Sequence, residues 1–476
     1  MKNENVDIIL TSPPFSLKDD FGLLDFMGYY GPPTNLMYLL SSLEHSKIKT
    51  KLLDFSREMK SLKCCAEYLV SFNPRFIAVA VHFTFLSERS LQLISCIKEL
   101  NSEITIIVGG VHFTAVPEET MEQCPDIDVG ILGEAEEAIV KVVKTLQAGG
   151  NLKEINGIIF RVGKTLVKIG TNNMVENVNQ LPFPPLDKIE YFLHSPAIYK
   201  KEDDIHLLIV TARGCPFHCT FCDRTVLGSK IRFYEIDYLS RLIDIFCTNY
   251  KITCFEINDE NICITKKRFR EICKLLKDKH QKYNFTWKCS IRADSVEPDT
   301  GKILYDSGCR DAIFGLESGS KKMLMAYNKK LDLDELPQKC KYIRSAGVRV
   351  SGSFIIGGPG ENEETISETI NLVKKTDLDV IFVWFLVPVP GSVIHKNLES
   401  TGKLIGDFSK RTGHYVTFIP NSSTKEQLEA GYKNIYRAFY SKPSVVYRTF
   451  KRYGLSGLPM FIKNGFLYVY RFIIKP

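Results

Sequence analysis

The chain has 476 residues, 44% of them hydrophobic, a formal net charge of +7 and fourteen cysteines. Such a length supports two or three domains, each with its own core, and no uninterrupted apolar run reaches the roughly 18 residues that a membrane-spanning helix needs. The cysteines are scattered, many within apolar runs (Cys247, Cys254, Cys289), where a thiol acts as a small hydrophobe; with no apolar signal core before the first strand, they predict a reducing cytoplasm rather than a disulfide framework.

From the N-terminus, short apolar segments alternate with helical ones, and Val6–Leu10, Thr50–Asp54, Phe76–Val81, Ile104–Val108 and Val129–Leu132 are the predicted strands. This alternation means βαβ units and an α/β, doubly wound (Rossmann-like) sheet, whose ligands sit beyond the carboxyl ends of the strands at the switch point. Those ends read Pro13-Pro14, His82-Phe83-Thr84, Gly109-Gly110-Val111-His112 and Gly133-Glu134, and glycines there let backbone approach a bulky ligand. For any one glycine pair, an ordinary turn is the alternative.

Together with Gly31-Pro32-Pro33-Thr34-Asn35-Leu36 ahead of a helix, the order of these features over residues 5–150 resembles the N-terminal cobalamin-binding domain of B12-dependent radical S-adenosylmethionine (SAM) enzymes. The resemblance implies cobalamin as a cofactor of a domain spanning residues 1–150, with Pro33, Thr34, His82, Gly109, Gly110, His112, Gly133 and Glu134 around it. It departs from the D-x-H-x-x-G pattern of other cobalamin proteins, because strand two runs into Asp54-Phe55-Ser56, with serine where a cobalt-ligating histidine would stand. Cobalamin is therefore expected to bind with no histidine on cobalt.

Residues 151–204 read as a connector: Asn156–Phe160 and Thr165–Ile169 alternate around Gly163-Lys164, a hairpin signal, and the proline-rich Leu181–Leu186 breaks regular structure. The run Leu207–Val210 then reads as a buried parallel strand, and it leads into Gly214-Cys215-Pro216-Phe217-His218-Cys219-Thr220-Phe221-Cys222. Three thiolates in eight residues, spaced C-x3-C-x2-C, can grip one iron–sulfur cube from a single loop, and with no fourth cysteine nearby one iron stays open to an outside ligand. A zinc site is the alternative; it would want a fourth ligand, for which His218 is at hand.

The spacing, with an aromatic directly before the third cysteine, resembles the radical SAM superfamily, whose members bind SAM at the open iron and cleave it reductively to a 5'-deoxyadenosyl radical. The resemblance implies that Cys215, Cys219 and Cys222 hold a [4Fe-4S] cluster and that Phe221 belongs to the SAM site. A second strand–helix series supports a partial (β/α)6 barrel over 205–400, with strands at Leu207, Ile252–Ile257, Phe285–Ile291, Asp311–Phe314, Val348–Ile356 and Asp379–Val387. One helix is well marked, with Glu363-Glu364 at its start, Ile366, Ile370 and Val373 on one face and Lys374-Lys375 at its end. The strand ends carry the segments that the family uses for SAM: Asn258, Asp259 and Glu260; Ser290 and Arg292; Glu317 and Ser318; and Gly358 and Glu361 in Ile356-x-Gly358-x-x-Glu361, where the motif's leading glycine is Phe354. A carboxylate near the SAM ammonium is physically sensible.

Residues 401–476 are predicted to be a helical C-terminal region. From Gly431 onward there are nine Lys or Arg and no Asp or Glu, more than the whole net charge, interleaved with aromatics such as Phe450, Tyr453, Phe461 and Phe466. This basic aromatic tail reads either as a membrane-surface segment or as a helix packed on the barrel with a solvated basic face. No nucleic acid is expected, since no recognisable module accompanies the charge.

The leading functional reading is an enzyme, a cobalamin-dependent radical SAM methyltransferase acting on an unactivated carbon of a small-molecule or lipid-like substrate. It would draw electrons from an external one-electron reductant such as flavodoxin or ferredoxin. The alternatives are a cyclase or rearrangement enzyme of the tetrapyrrole oxidative-cyclase type, a methylthiotransferase, and a non-enzymatic cobalamin or redox sensor. Methylthiotransferases bring three further cluster cysteines in the N-terminal domain, which Cys64, Cys65, Cys96 and Cys124 do not reproduce. A sensor would not need the SAM-binding strand ends.

Overall fold

A computed structural model describes residues 6–15, 33–55, 61–188 and 205–453. Five parallel strands, β1 (Ile8–Ser12), β2 (Thr50–Asp54), β3 (Phe76–Ala80), β4 (Thr105–Gly109) and β5 (Val129–Ile131), form the first sheet. Most of them are continuous apolar runs, so both faces must be covered. Helices α1 (Thr34–His45), α2 (Leu62–Val70), α3 (Ser87–Leu100) and α4 (Glu136–Gln147) cover them. The strand order begins β2-β1-β3-β4-β5, so the chain reverses direction between β1 and β3 and opens a crevice at the carboxyl ends there.

The hairpin at 156–169 is more than a connector. Its strands β6 (Ile158–Val162) and β7 (Thr165–Ile169) pair antiparallel onto β5 and extend the sheet to seven strands. The reason is burial: a lone hairpin is marginal in water, whereas Ile158 and Ile159 lose all their exposure against the sheet.

The second sheet holds six parallel strands in simple succession. They are β8 (His206–Ile209), then, beyond the two-residue strands β9 (Ala212–Arg213) and β10 (Arg232–Phe233), β11 (Cys254–Ile257), β12 (Thr286–Ile291), β13 (Cys309–Glu317), β14 (Arg349–Ile356) and β15 (Val380–Phe385). Right-handed crossovers are the rule for such connections, and here they carry α5 (Ile236–Tyr250), α6 (Lys266–Tyr283), α7 (Thr300–Asp306), α8 (Leu336–Arg344) and α9 (Glu363–Lys375). The expected charges on α9, Glu363 and Glu364 at its start and Lys374 and Lys375 at its end, oppose the helix dipole, and Asn362 and Thr365 add a reciprocal capping box. β8 and β15 are the two edges, so the barrel is partial.

The first stretch of the basic tail is packed. Helix α10 (Lys425–Tyr440) buries Leu428, Tyr432, Ile435 and Phe439, and Gly431 brings it so near α9 that an added Cβ would lie 2.9 Å from Ile366. In α11 (Pro443–Tyr453), Arg448 pairs with Asp377 and Asp379 at 2.9 and 3.0 Å, while Lys442 donates to the Thr376 carbonyl at 2.8 Å. Lys463, Arg471, Lys475, Phe461 and Phe466 lie outside the described residues. No described helix is long and apolar enough to cross a membrane.

Candidate active site

The cysteine loop leaves the carboxyl end of β8 and is closed at its neck by the antiparallel pair β9–β10, in which Arg213 stands opposite Arg232. Gly214 opens it at φ +91°, where a Cβ would sit 2.3 Å from the Lys230 carbonyl oxygen. Backbone bonds then fix its course: Cys215 N–H donates to Gly228 O, Thr220 N–H to Tyr327 O and Cys222 N–H to Cys219 O, at 3.1–3.2 Å. The Asn328 amide donates to His218 O at 2.9 Å, and the Arg292 guanidinium lies 3.9 Å from the centroid of Phe217.

All three thiols are half-buried and free of disulfides. Burial pushes each of them up, Cys222 to about 12, with Glu260 and the neighbouring cysteines adding to it. A metal bound there would have to displace those protons. Three soft donors on a rigid loop fit a cubane, which takes each thiolate on a separate iron. Among the described residues, no group of three His, Cys, Asp or Glu side chains is arranged to hold one metal ion, as zinc would require.

The strand-end residues divide by the period-two rule. Along β11 and beyond it, Phe255, Ile257 and Asp259 are buried, while Asn258 and Glu260 open into the barrel mouth. Asp259, expected at SAM, is turned the other way. Its carboxylate accepts from Thr211 N–H at 2.5 Å, Ala212 N–H at 3.2 Å and the Thr211 hydroxyl, and so staples β11 to the approach of the cysteine loop. Burial pushes this carboxyl up to about 6 against the pull of those bonds.

Ser290 is exposed near the end of β12, and Arg292, just beyond the strand, is held bidentately by Asp294. Glu317, at φ +61°, pairs with the buried Lys329 at 2.7 Å, while Ser318 meets Thr369 at 3.2 Å. Gly358 leaves room for Tyr327, whose hydroxyl would be 2.2 Å from an added Cβ, and Tyr327 meets Phe221 edge-on at 5.3 Å. Glu361 accepts from Gly357 N–H at 3.2 Å and from Thr365, and burial pushes it up to about 7. In this structure the Gly358 and Glu361 turn therefore braces the wall behind Phe221.

A cavity of about 1370 Å³ lies across the carboxyl ends of the first sheet and runs into the partial barrel. On the first side it is lined by Pro33, Thr34, His82, Gly109, Gly110, Gly133 and Glu134, and on the second by Asn258 and Glu260. Gly110, at φ +112°, is the close-approach residue, since a Cβ there would lie 2.8 Å from the Val81 carbonyl oxygen. A polar-rimmed cradle of this size with a glycine floor fits a corrinoid. Ser56 lies outside the described residues. His82 is half-buried in the wall, and burial holds its pKa down at about 4.

His112 is outside the cavity lining. It is buried, with Nδ1 3.2 Å from the Thr84 hydroxyl, and burial, together with Arg411 and His395, holds its pKa near 4. A histidine depressed in the fold contributes stability above its ordinary pKa of about 6.5 and loses it as pH falls toward 4. The apo protein is expected to lose on the order of 2 kcal/mol from this residue between pH 7.5 and pH 5. Urea unfolding of the wild type and of His112→Asn should show a flatter pH dependence in the variant; parallel curves would refute the assignment.

Sequence reasoning missed two groups. Inside the barrel, Glu256, Lys288, Asp311 and Arg349 occupy one register layer of β11–β14, joined as Glu256–Lys288 at 2.7 Å and Asp311–Arg349. Charged residues at alternate strand positions were the signal for it. The other group is the pair of arginines at the loop neck, Arg213 and Arg232, which meet Glu134; nothing local marks those.

Residues 23–143 match the B12 binding domain family and residues 209–373 the Radical SAM superfamily. An uncharacterised methyltransferase of Pyrococcus horikoshii is 26% identical over 445 residues, covering 92% of this chain and 93% of the relative. The anaerobic magnesium-protoporphyrin IX monomethyl ester cyclase of Cereibacter sphaeroides is 24% identical over 456 residues, covering 91% and 72%. The solved structure of the radical SAM methyltransferase TsrM from Kitasatospora setae, with cobalamin and a [4Fe-4S] cluster bound, superposes with a TM-score of 0.72 at 13% identity over 92% of each chain. The cysteine loop, the strand-end cradle and these two domain matches together make the chain a radical SAM enzyme with a B12 binding domain, using an iron–sulfur cluster, SAM and cobalamin.

Proposed function

We propose that this enzyme methylates an unactivated carbon of a small-molecule or lipid-like substrate. The observation that carries the reading is the shared cavity: the glycine cradle of the first sheet and the mouth of the barrel open onto one space. When bound, the cluster with SAM supplies hydrogen abstraction and cobalamin supplies carriage of a methyl group.

In this reading Cys215, Cys219 and Cys222 hold three irons of the cluster. Glu260 and Asn258, facing the mouth, receive the ammonium end of SAM, where a carboxylate gives a charge-assisted hydrogen bond. Gly109 and Gly110 admit the corrinoid against backbone. Phe221, braced by Tyr327, excludes water from the cluster side, and the charged layer inside the barrel offers partners to polar groups of a substrate. Electrons would come from a small one-electron carrier of the flavodoxin or ferredoxin type.

The Pyrococcus horikoshii relative, named as a methyltransferase, supports methyl transfer. The cyclase of Cereibacter sphaeroides, matched over 91% of this chain, favours ring closure as a second reading. Anaerobic turnover with methyl-deuterated SAM on extract of the source cells separates them. Methyl transfer predicts a labelled product together with both S-adenosylhomocysteine and 5'-deoxyadenosine; deoxyadenosine with an unlabelled, hydrogen-depleted product would establish the cyclase.

Peripheral membrane attachment is retained only for the end of the chain, because α10 is part of the core. A truncation after Ala430 would strip Tyr432, Ile435 and Phe439, so the test is a truncation after Tyr453. Each basic residue near an anionic surface is worth about 1 kcal/mol, so the full chain is expected to sediment with anionic vesicles at low salt and the truncated chain several-fold less. Equal sedimentation of the two would assign the tail a purely structural role.

A further inference from the structure

We infer that Arg213, held by Glu134 and Glu136, is a positioning residue that sets the separation between the corrinoid cradle and the cysteine loop. This inference rests on the placement of the two cofactors under Proposed function.

Arg213 and Arg232 face each other across the neck of the cysteine loop. Both converge on Glu134, which directly follows the cradle glycine Gly133. Arg213, Arg232, Glu134 and Glu136 are 8%, 6%, 4% and 7% exposed, so the network is almost wholly buried, in the wall of the cavity. Arg213 Nη1 donates to Glu134 at 3.0 Å and to Glu136 at 2.8 Å, and its Nε donates to the Tyr234 hydroxyl at 3.1 Å. The guanidinium lies 5.3 Å from the centroid of Tyr38, on the helix whose first residues line the cradle. Glu134 also binds Arg232 Nη1 and accepts from Val175 N–H at 2.6 Å, while Arg232 donates to Val175 O at 2.7 Å and to Leu227 O, inside the loop, at 3.2 Å.

The consequence is geometric. Gly133 has φ +79°, and an added Cβ would lie 2.3 Å from the Asn173 carbonyl oxygen, so the cradle floor beside Glu134 cannot shift freely. Arg213 stands two residues before Cys215. A change in the Glu134–Arg213 contact therefore reaches the first cluster ligand through only two peptide units, joined at the confined Gly214. Charge-assisted hydrogen bonds between nearly buried groups are short, directional and strong, which suits a spacer better than an apolar contact that slides. A reaction in which two cofactors act in turn on one carbon needs such a spacer, because a misplacement of about 1 Å can cost about a hundredfold in rate.

The test uses the full chain reconstituted with both cofactors. Glu136→Gln removes one of the two carboxylates on Arg213 and leaves Glu134 in place; Arg213→Gln removes the hub, and Arg213→Lys restores its charge. With the cluster reduced and the cobalt as Co(II), electron paramagnetic resonance reads their magnetic coupling. We expect one defined coupling in the wild type, a broadened distribution in Glu136→Gln and Arg213→Gln, and partial recovery in Arg213→Lys, with iron and cobalamin contents unchanged in Glu136→Gln. Deoxyadenosine formed without S-adenosylhomocysteine should rise by about tenfold in the glutamine variants. Unchanged coupling in fully loaded glutamine variants would overturn the inference, as would loss of both cofactors from Glu136→Gln, which would make the network a folding element. Failure of the wild type to take up cobalamin would overturn the cofactor placement first, before any substitution is made.

Discussion

Replacing Cys215, Cys219 and Cys222 together by alanine is expected to take the iron of the anaerobically reconstituted protein from about four per chain to background, and SAM cleavage with it. The loop itself should survive the change. Its course is set by backbone bonds to Gly228, Tyr327 and Cys219, by the Asn328 amide on His218 O and by the β9–β10 neck, none of which uses a thiol. The far-ultraviolet circular dichroism spectrum and cobalamin uptake are therefore expected to stay as in the wild type while deoxyadenosine formation falls by at least about a thousandfold, roughly 4 kcal/mol of lost transition-state stabilisation. Full iron and sulfide loading of the triple variant would remove the cluster from this loop.

Substituting Gly110 by valine is expected to act on the other cofactor alone. At φ +112° and ψ 176°, a region that essentially only glycine occupies, an L side chain pays about 1–3 kcal/mol in backbone conformation, and the new Cβ would meet the Val81 carbonyl oxygen at 2.8 Å, a backbone atom directly after β3 that cannot rotate away. The turn after β4 must then move into the cavity that it lines. Cobalamin affinity should drop at least about tenfold, the equivalent of roughly 1.4 kcal/mol, with iron content intact. Titration by absorbance or by quenching of intrinsic fluorescence measures it, and unaltered cobalamin binding would mean that the corrinoid lies elsewhere. The cobalt resonance adds an independent check, since the expected absence of a histidine ligand predicts no strong nitrogen splitting that His82→Ala could remove.

Several features were legible because they are local. The C-x3-C-x2-C spacing needs only one loop, and the apolar runs of β1, β3 and β4 need only their own composition to be read as buried parallel strands. The caps and charges of α9 follow from residues within its own first and last turns. The alternation Phe255, Glu256, Ile257, Asn258, Asp259, Glu260 was also available, and applied strictly it places Asn258 and Glu260 on the barrel side and turns Asp259 away. The motif resemblance grouped the three residues together, and the period of the strand separates them.

What the chain order alone determined is therefore the succession of two parallel α/β units and the ligand-bearing loop at a strand end, while SAM and cobalamin were implied by the family resemblance. The units and the loop depend on periodicity, turn chemistry and short spacings, all encoded within a few residues of one another. Tertiary structure decided the rest. Glu134 and Arg213 are 79 residues apart and meet only because the two sheets face each other across one cavity. The hairpin at 156–169 joins the first sheet because β5 leaves an edge to be covered. Basic residues of the tail such as Arg448 find Asp377 and Asp379 because α10 packs against α9 and turns α11 back toward the barrel. Contacts between residues so far apart in sequence follow from which apolar faces must be buried together, and no local pattern records that choice.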